Sequence, residues 1–285
     1  MTGFARALRG ELYQLLHRRP ILLAHLAVLL VAVARVVAGR LVLGAAHAAG
    51  GPGPGEVGAW NAWPQFAHGV RAAAFLVELF VLVLVGAGLP REVASGSVRD
   101  PLTRRITRPA LIAARGVTAL VLPLTLLACA VLGSLAAASA LFDAGDVMED
   151  GEVLISVADD GLDVAVRDAV LHGVPALLAL GGLALFLGAA SRRSVSAVGA
   201  GLALVLAPTL FRETLGDRAP WWFADTLPGL GPDSFLARIA RFAEGYTDAW
   251  PETFDRVVAV GWKAPWPALF LAWVGAILVF RRRAV

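Results

Sequence analysis

Long apolar runs alternate with short polar segments along the whole chain. Apolar stretches over residues 21–43, 70–89, 110–141, 169–190, 195–211 and 262–280 predict six membrane-spanning helices. The first run alone covers roughly 34 Å at about 1.5 Å per residue, enough for a hydrocarbon core of about 30 Å. Ahead of it, within residues 2–19, Phe4, Leu8, Leu12 and Leu15 recur at helical spacing while Arg6, Arg9 and His17 fall mostly off that stripe. This pattern predicts an amphipathic interfacial helix, ended by Pro20. A cleavable signal peptide is the competing reading. Its apolar core would be about 7 to 15 residues, shorter than 21–43, and that run also carries Arg35 and Arg40.

The polar segments sort by charge. Residues 2–19, 91–109, 191–194 and 281–283 hold four, five, two and three basic residues. Residues 44–69 hold no Lys or Arg, and residues 142–168 hold nine acids and only Arg167. Basic segments mark the cytoplasmic side, so both ends are expected inside, with residues 142–168 and 212–261 as external loops. The acidic turns of 142–168 read as solvated; their spacing does not match a regular calcium loop. In the last external loop, Asp233 or Ser234 can cap a short helix with Phe235, Ile239 and Phe242 on one stripe, closed by Gly245 and lying partly on the membrane.

Composition agrees with this reading. Of the 285 residues 58% are hydrophobic and the mean hydropathy is +0.71, well above a soluble globular domain. The expected fold class is an all-α integral membrane protein, a single transmembrane domain over residues 1–285. The formal charge of +3 carries no indication of nucleic acid binding. The single cysteine, Cys129, lies in an apolar run, so intramolecular disulfides and thiolate metal clusters are excluded.

Catalytic chemistry finds no foothold. A phosphate loop of the G-x-x-x-x-G-K-[S/T] type is absent, because the only lysine, Lys263, is followed by Ala264. Five scattered histidines give no ligand set, so no metal or directly bound cofactor is expected. Two intramembrane ionisable residues, Arg35 and Glu78, fall at similar depth when counted from the ends of their runs. They are candidates for an ion pair that either holds two spans together or faces a polar path. Gly199, Ala203 and Ala207, spaced by four, form a small-residue face for helix packing or dimerisation.

The basic segment 91–109 reads R-E-V-A-S-G-S-V-R-D-P-L-T-R-R-I-T-R-P. Glu92-x-x-x-Gly96-Ser97-Val98-Arg99, then Ile106-Thr107-Arg108 and the later Arg115, resembles the loop between spans two and three in permease subunits of type-2 ATP-binding-cassette (ABC) exporters. Arg105 stands where that family usually has proline, and Asp100-Pro101 interrupts its usual leucine run. The opening G-E-L-Y-Q-L-L-H-R-R-P is similar to the family's amphipathic start. The resemblance implies a multi-pass permease of the bacterial inner membrane that forms a homodimer. It implies a separate ABC ATPase subunit, which uses ATP and docks on Glu92, Gly96, Ser97, Val98, Arg99 and Arg108. It also implies a short helix in the loop, with Glu92 near its N-terminal end and Gly96 allowing close approach. A non-transporting membrane scaffold, binding a partner through the long external loop, is the alternative.

Overall fold

The computed structural model describes residues 3–51, 53, 58–98, 106–149, 152–155, 161–231, 234–244 and 254–282. Among them, five helical stretches are long and apolar enough to cross a membrane: Arg19–Ala48, Ala62–Ser95, Arg108–Leu141, Leu162–Ala190 and Val258–Arg282. On that ground the chain is an α-helical, multi-pass membrane protein. In chain order the elements are α1 (Gly3–His17), α2 (Arg19–Ala48), α3 (Ala62–Val81), a π turn (Leu82–Gly86), α4 (Gly88–Ser95) and α5 (Arg108–Leu141). A small antiparallel hairpin follows, β1 (Val147–Glu149) and β2 (Glu152–Ile155). Then come α6 (Leu162–His172), α7 (Val174–Ala190), α8 (Ser194–Leu210), α9 (Phe235–Ala243), α10 (Phe254–Lys263) and α11 (Pro265–Arg282). Short helical turns between Arg212 and Thr226 join α8 to the segment before α9.

The apolar run 195–211 forms α8, which has 17 residues and so extends about 25 Å. Unlike α7, also 17 residues, it is not continued into a longer apolar stretch, and it is not among the five.

The second run, expected over 70–89, does not end ahead of Pro90. The helix passes from Ala62 to Ser95 through the π turn. Proline has no N–H for the carbonyl four residues back, here Gly86, and widening the helix by one residue just ahead of it accommodates the missing bond. The freed Gly86 carbonyl faces Gly188 of α7, where a Cβ would stand 2.8 Å from it. Pro123 does the same inside α5. It frees the Ala119 carbonyl, and Gly181 of α7 lies so close that a Cβ there would overlap it. Gly181 and Gly188 are seven residues apart, on one face of α7, which lets α7 press against both proline-marked helices.

Buried side chains form two clusters. The larger runs along α2, α3 and α5, through Val28, Val36, Val70, Val77 and Leu126, into the layer built by α6 and α9. The smaller gathers Leu89, Val98, Leu111, Ile112, Leu185 and Phe280. It therefore brings the ends of α4, α7 and α11 and the start of α5 together, and α1 joins them through Glu11. The described residues of the basic segments predicted from charge thus share one end of the bundle, called here the basic end.

At the opposite end, the acidic stretch 142–168 is not wholly solvated turns. Val147 pairs with Ile155 across the hairpin and both are buried. Likewise α9 does not simply lie on a membrane: Leu236, Ile239, Ala240 and Ala243 are buried, and the helix packs on α3 and α6. Ser234 caps it, its hydroxyl accepting from the Ala237 N–H at 3.3 Å. Asp233 and Gly245 lie outside the described residues.

Candidate functional site

At the basic end, α4 stops because Gly96 adopts the left-handed region, with φ of 75°. The Val98 N–H turns back to the Glu92 carbonyl at 3.3 Å, and the Val98 side chain is fully buried. The chain resumes at Thr107, whose hydroxyl caps α5 by accepting from the Ala110 N–H at 3.4 Å. Pro109 suits the first turn that follows. Arg99, with residues 100–105, lies outside the described residues.

Four charged side chains meet beneath this turn. Arg115 of α5, almost fully buried, donates through Nε to Glu11 of α1 at 3.0 Å and through Nη2 to Glu92 of α4. Glu92 also accepts from Arg18, at the start of α2, at 3.0 Å. The cluster ties the amphipathic helix, the first span, the end of the second and the start of the third into one unit. Opposite charges offset one another here, which is what makes a buried guanidinium tolerable.

One expectation is corrected by this geometry. Glu92 lies in the last turn of α4, not near a helix N-terminus, so it does not complement that helix's dipole; its partners are arginines on other helices. Gly96 serves as the helix stop, and within the chain a Cβ there would meet nothing within 4 Å. Ser97 is exposed and its hydroxyl lies 2.9 Å from that of Ser95, while Arg108 sits half-buried in the first turn of α5.

Arg35 and Glu78 are not brought together. Gly39 of α2 lies against Gln65 of α3, and Val36 lies against Gly69, which fixes the register of the two antiparallel helices. In that register Arg35 reaches toward Gly39 and Gln65, away from Glu78. Glu78 is fully buried and its carboxyl oxygens accept from the Gly229 N–H at 2.7 Å and the Leu230 N–H at 2.8 Å. Equal depth in two apolar runs did not give contact, because α3 begins eight residues before the run at 70–89 does and α2 continues to Ala48. The small-residue face of α8 points outward: Gly199 and Ala203 are exposed, Ala207 is half-buried, and a Cβ at Gly199 would meet nothing within 4 Å.

Glu11 and Arg18 were not singled out from sequence. The available signal was that Glu11 is the sole acid in the first 55 residues, set on an otherwise basic helix. Gly229 and Leu230 gave no signal, since a backbone N–H is common to nearly every residue.

Compared with known proteins, the sequence matches no family model and no curated relative.

Proposed function

We propose that this chain is the membrane-spanning permease subunit of an ATP-binding-cassette transporter of the exporter type, driven by a separate ATPase that docks on residues 91–109. In this reading α8 is a sixth span, both ends lie in the cytoplasm, and the protein resides in a bacterial inner membrane as a homodimer. The small-residue face of Gly199, Ala203 and Ala207 meets its copy in the second subunit. The observation that carries the reading is the Glu11–Arg115–Glu92–Arg18 cluster, which fastens the turn after α4 to three other helices. A push on that turn moves the ends of several spans together, as a coupling element must. Gly96, Ser97 and Arg108, with Arg99 of the same motif, supply the docking surface, and the buried Val98 side chain anchors the turn beneath it.

The test is affinity purification from native membranes. A co-purifying protein carrying a phosphate loop, lost on Gly96→Trp or Glu92→Arg substitution, supports docking. Retention of that protein and of full ATP hydrolysis in both variants sinks it. A partner with no nucleotide site, held instead by the outer layer of α6 and α9, makes the chain a scaffold.

A further inference from the structure

Two clefts flank the ionic cluster and have part of their lining in common. One is a cleft of about 490 Å³ lined by Arg6, Gly10, Gln14, Arg18, Ile106 and Leu111 among others. The other is a slot of about 80 Å³ walled by Leu15, Ile21, Leu84, Leu122 and Leu185, with Gly88 on its rim. They share Glu11, Gln14, Arg18, Glu92 and Arg115. The charged lining of the larger cleft comprises three arginines and two glutamates, so one positive charge is left over. The two glutamates bind Arg115 and Arg18; Arg6 is exposed and has no acidic partner among the described residues.

On the shared lining, the junction of the two clefts, the Gln14 Oε1 is buried and has no hydrogen-bond partner among the described residues. A buried amide oxygen in that state calls for a donor from outside the chain. The slot is about half the size of the roughly 150 Å³ cavity that takes a benzene ring. It suits a thin flexible chain rather than a ring.

We infer that this junction binds one anionic glycerophospholipid of the leaflet at the basic end, with its phosphodiester against Arg6 and Arg18, its hydroxylated headgroup on Gln14 and the first part of an acyl chain in the apolar slot. The single surplus positive charge matches a phosphodiester monoanion and gives a zwitterionic headgroup no advantage. Because the lipid lies between α1 and the α4 turn, it forms part of the wall that positions the cluster. The inference does not depend on an ATPase docking there, and it stands or falls on lipid binding alone.

The experiment measures binding to the purified full chain in detergent by native mass spectrometry, using short-chain phosphatidylglycerol, phosphatidylcholine of equal chain length, and glycerol 3-phosphate. Phosphatidylglycerol is expected to bind about tenfold more tightly than phosphatidylcholine, the scale of one charge-assisted contact, while glycerol 3-phosphate binds negligibly. Arg6→Gln should weaken phosphatidylglycerol by about the same factor. Arg9→Gln, the same charge change at an exposed position outside both clefts, should not weaken it. Gly88→Leu projects into open space, since a Cβ there meets nothing within 4 Å. It should fill the slot and abolish binding, with the thermal midpoint of the unliganded protein retained. Equal binding of glycerol 3-phosphate, equal binding of the two lipids, equal loss in Arg6→Gln and Arg9→Gln, or undiminished binding in Gly88→Leu would each overturn the inference.

Discussion

The carboxyl of Glu78 accepts the N–H of Gly229 across 2.7 Å, joining the last turn of α3 to a turn 151 residues later in the chain. Gly229 presses so closely on α3 that a Cβ would overlap the backbone of Ala74 and Phe75. The bond and the missing side chain act together: the turn can reach Glu78 only because position 229 is glycine. The two buried N–H groups would otherwise lack an acceptor.

Glu78→Ala removes that acceptor and is expected to destabilise the protein by about 3 kcal/mol, the cost of stranding buried donors. Glu78→Gln retains one oxygen but points an NH₂ group at the second donor, so it should fall between wild type and Glu78→Ala. Thermal unfolding in detergent, with membrane abundance in parallel, checks the order. Wild-type stability in Glu78→Ala would contradict the anchoring role.

The ionic cluster predicts unequal arginines. Arg115→Ala leaves Glu11 and Glu92 without their buried partner and should cost about 3–5 kcal/mol. Arg18, half of whose side chain is in solvent, should cost less than about 1 kcal/mol on the same substitution. Equal losses for the two variants, compared by thermal midpoints, would show that the burial difference does not set the energetics.

Glycines on the helices divide into packed and open positions. Gly181→Ala forces a methyl into the Ala119 carbonyl and is expected to cost about 1–3 kcal/mol by overpacking. Gly199→Ala meets no atom and should be neutral or stabilising by up to about 1 kcal/mol, because alanine favours the helix. If the proposed homodimer forms through this face, Gly199→Trp should leave the monomer folded while lowering the dimer fraction in cross-linking. An unchanged dimer fraction would remove this face from the subunit contact.

Gly96→Ala should cost about 1 kcal/mol through backbone strain alone, since the position is left-handed and the space around it is open. Gly96→Asn should cost less, asparagine tolerating that conformation better. Hydrogen exchange at Ser97 and Val98 is the local readout, faster in Gly96→Ala than in Gly96→Asn.

The sequence by itself determined the class of protein and the side-by-side placement of its basic segments. Apolar run length and arginine distribution are local quantities, and a bilayer imposes the same demand on every run. It also marked Glu92, Gly96 and Arg115 as a group, through their place in one motif. Only the tertiary structure decided what each residue touches. Depth along a run cannot give helix register, so Arg35 and Glu78 looked like partners until Gly39 against Gln65 fixed how α2 and α3 slide. A proline reads as a stop in sequence, yet the helix through Pro90 persists because a π turn and Gly188 accommodate the carbonyl it frees. Glu11 and Arg18 joined Glu92 only because packing of α1 over α5 brought them there, and Glu78 found its donors on a backbone that composition cannot distinguish.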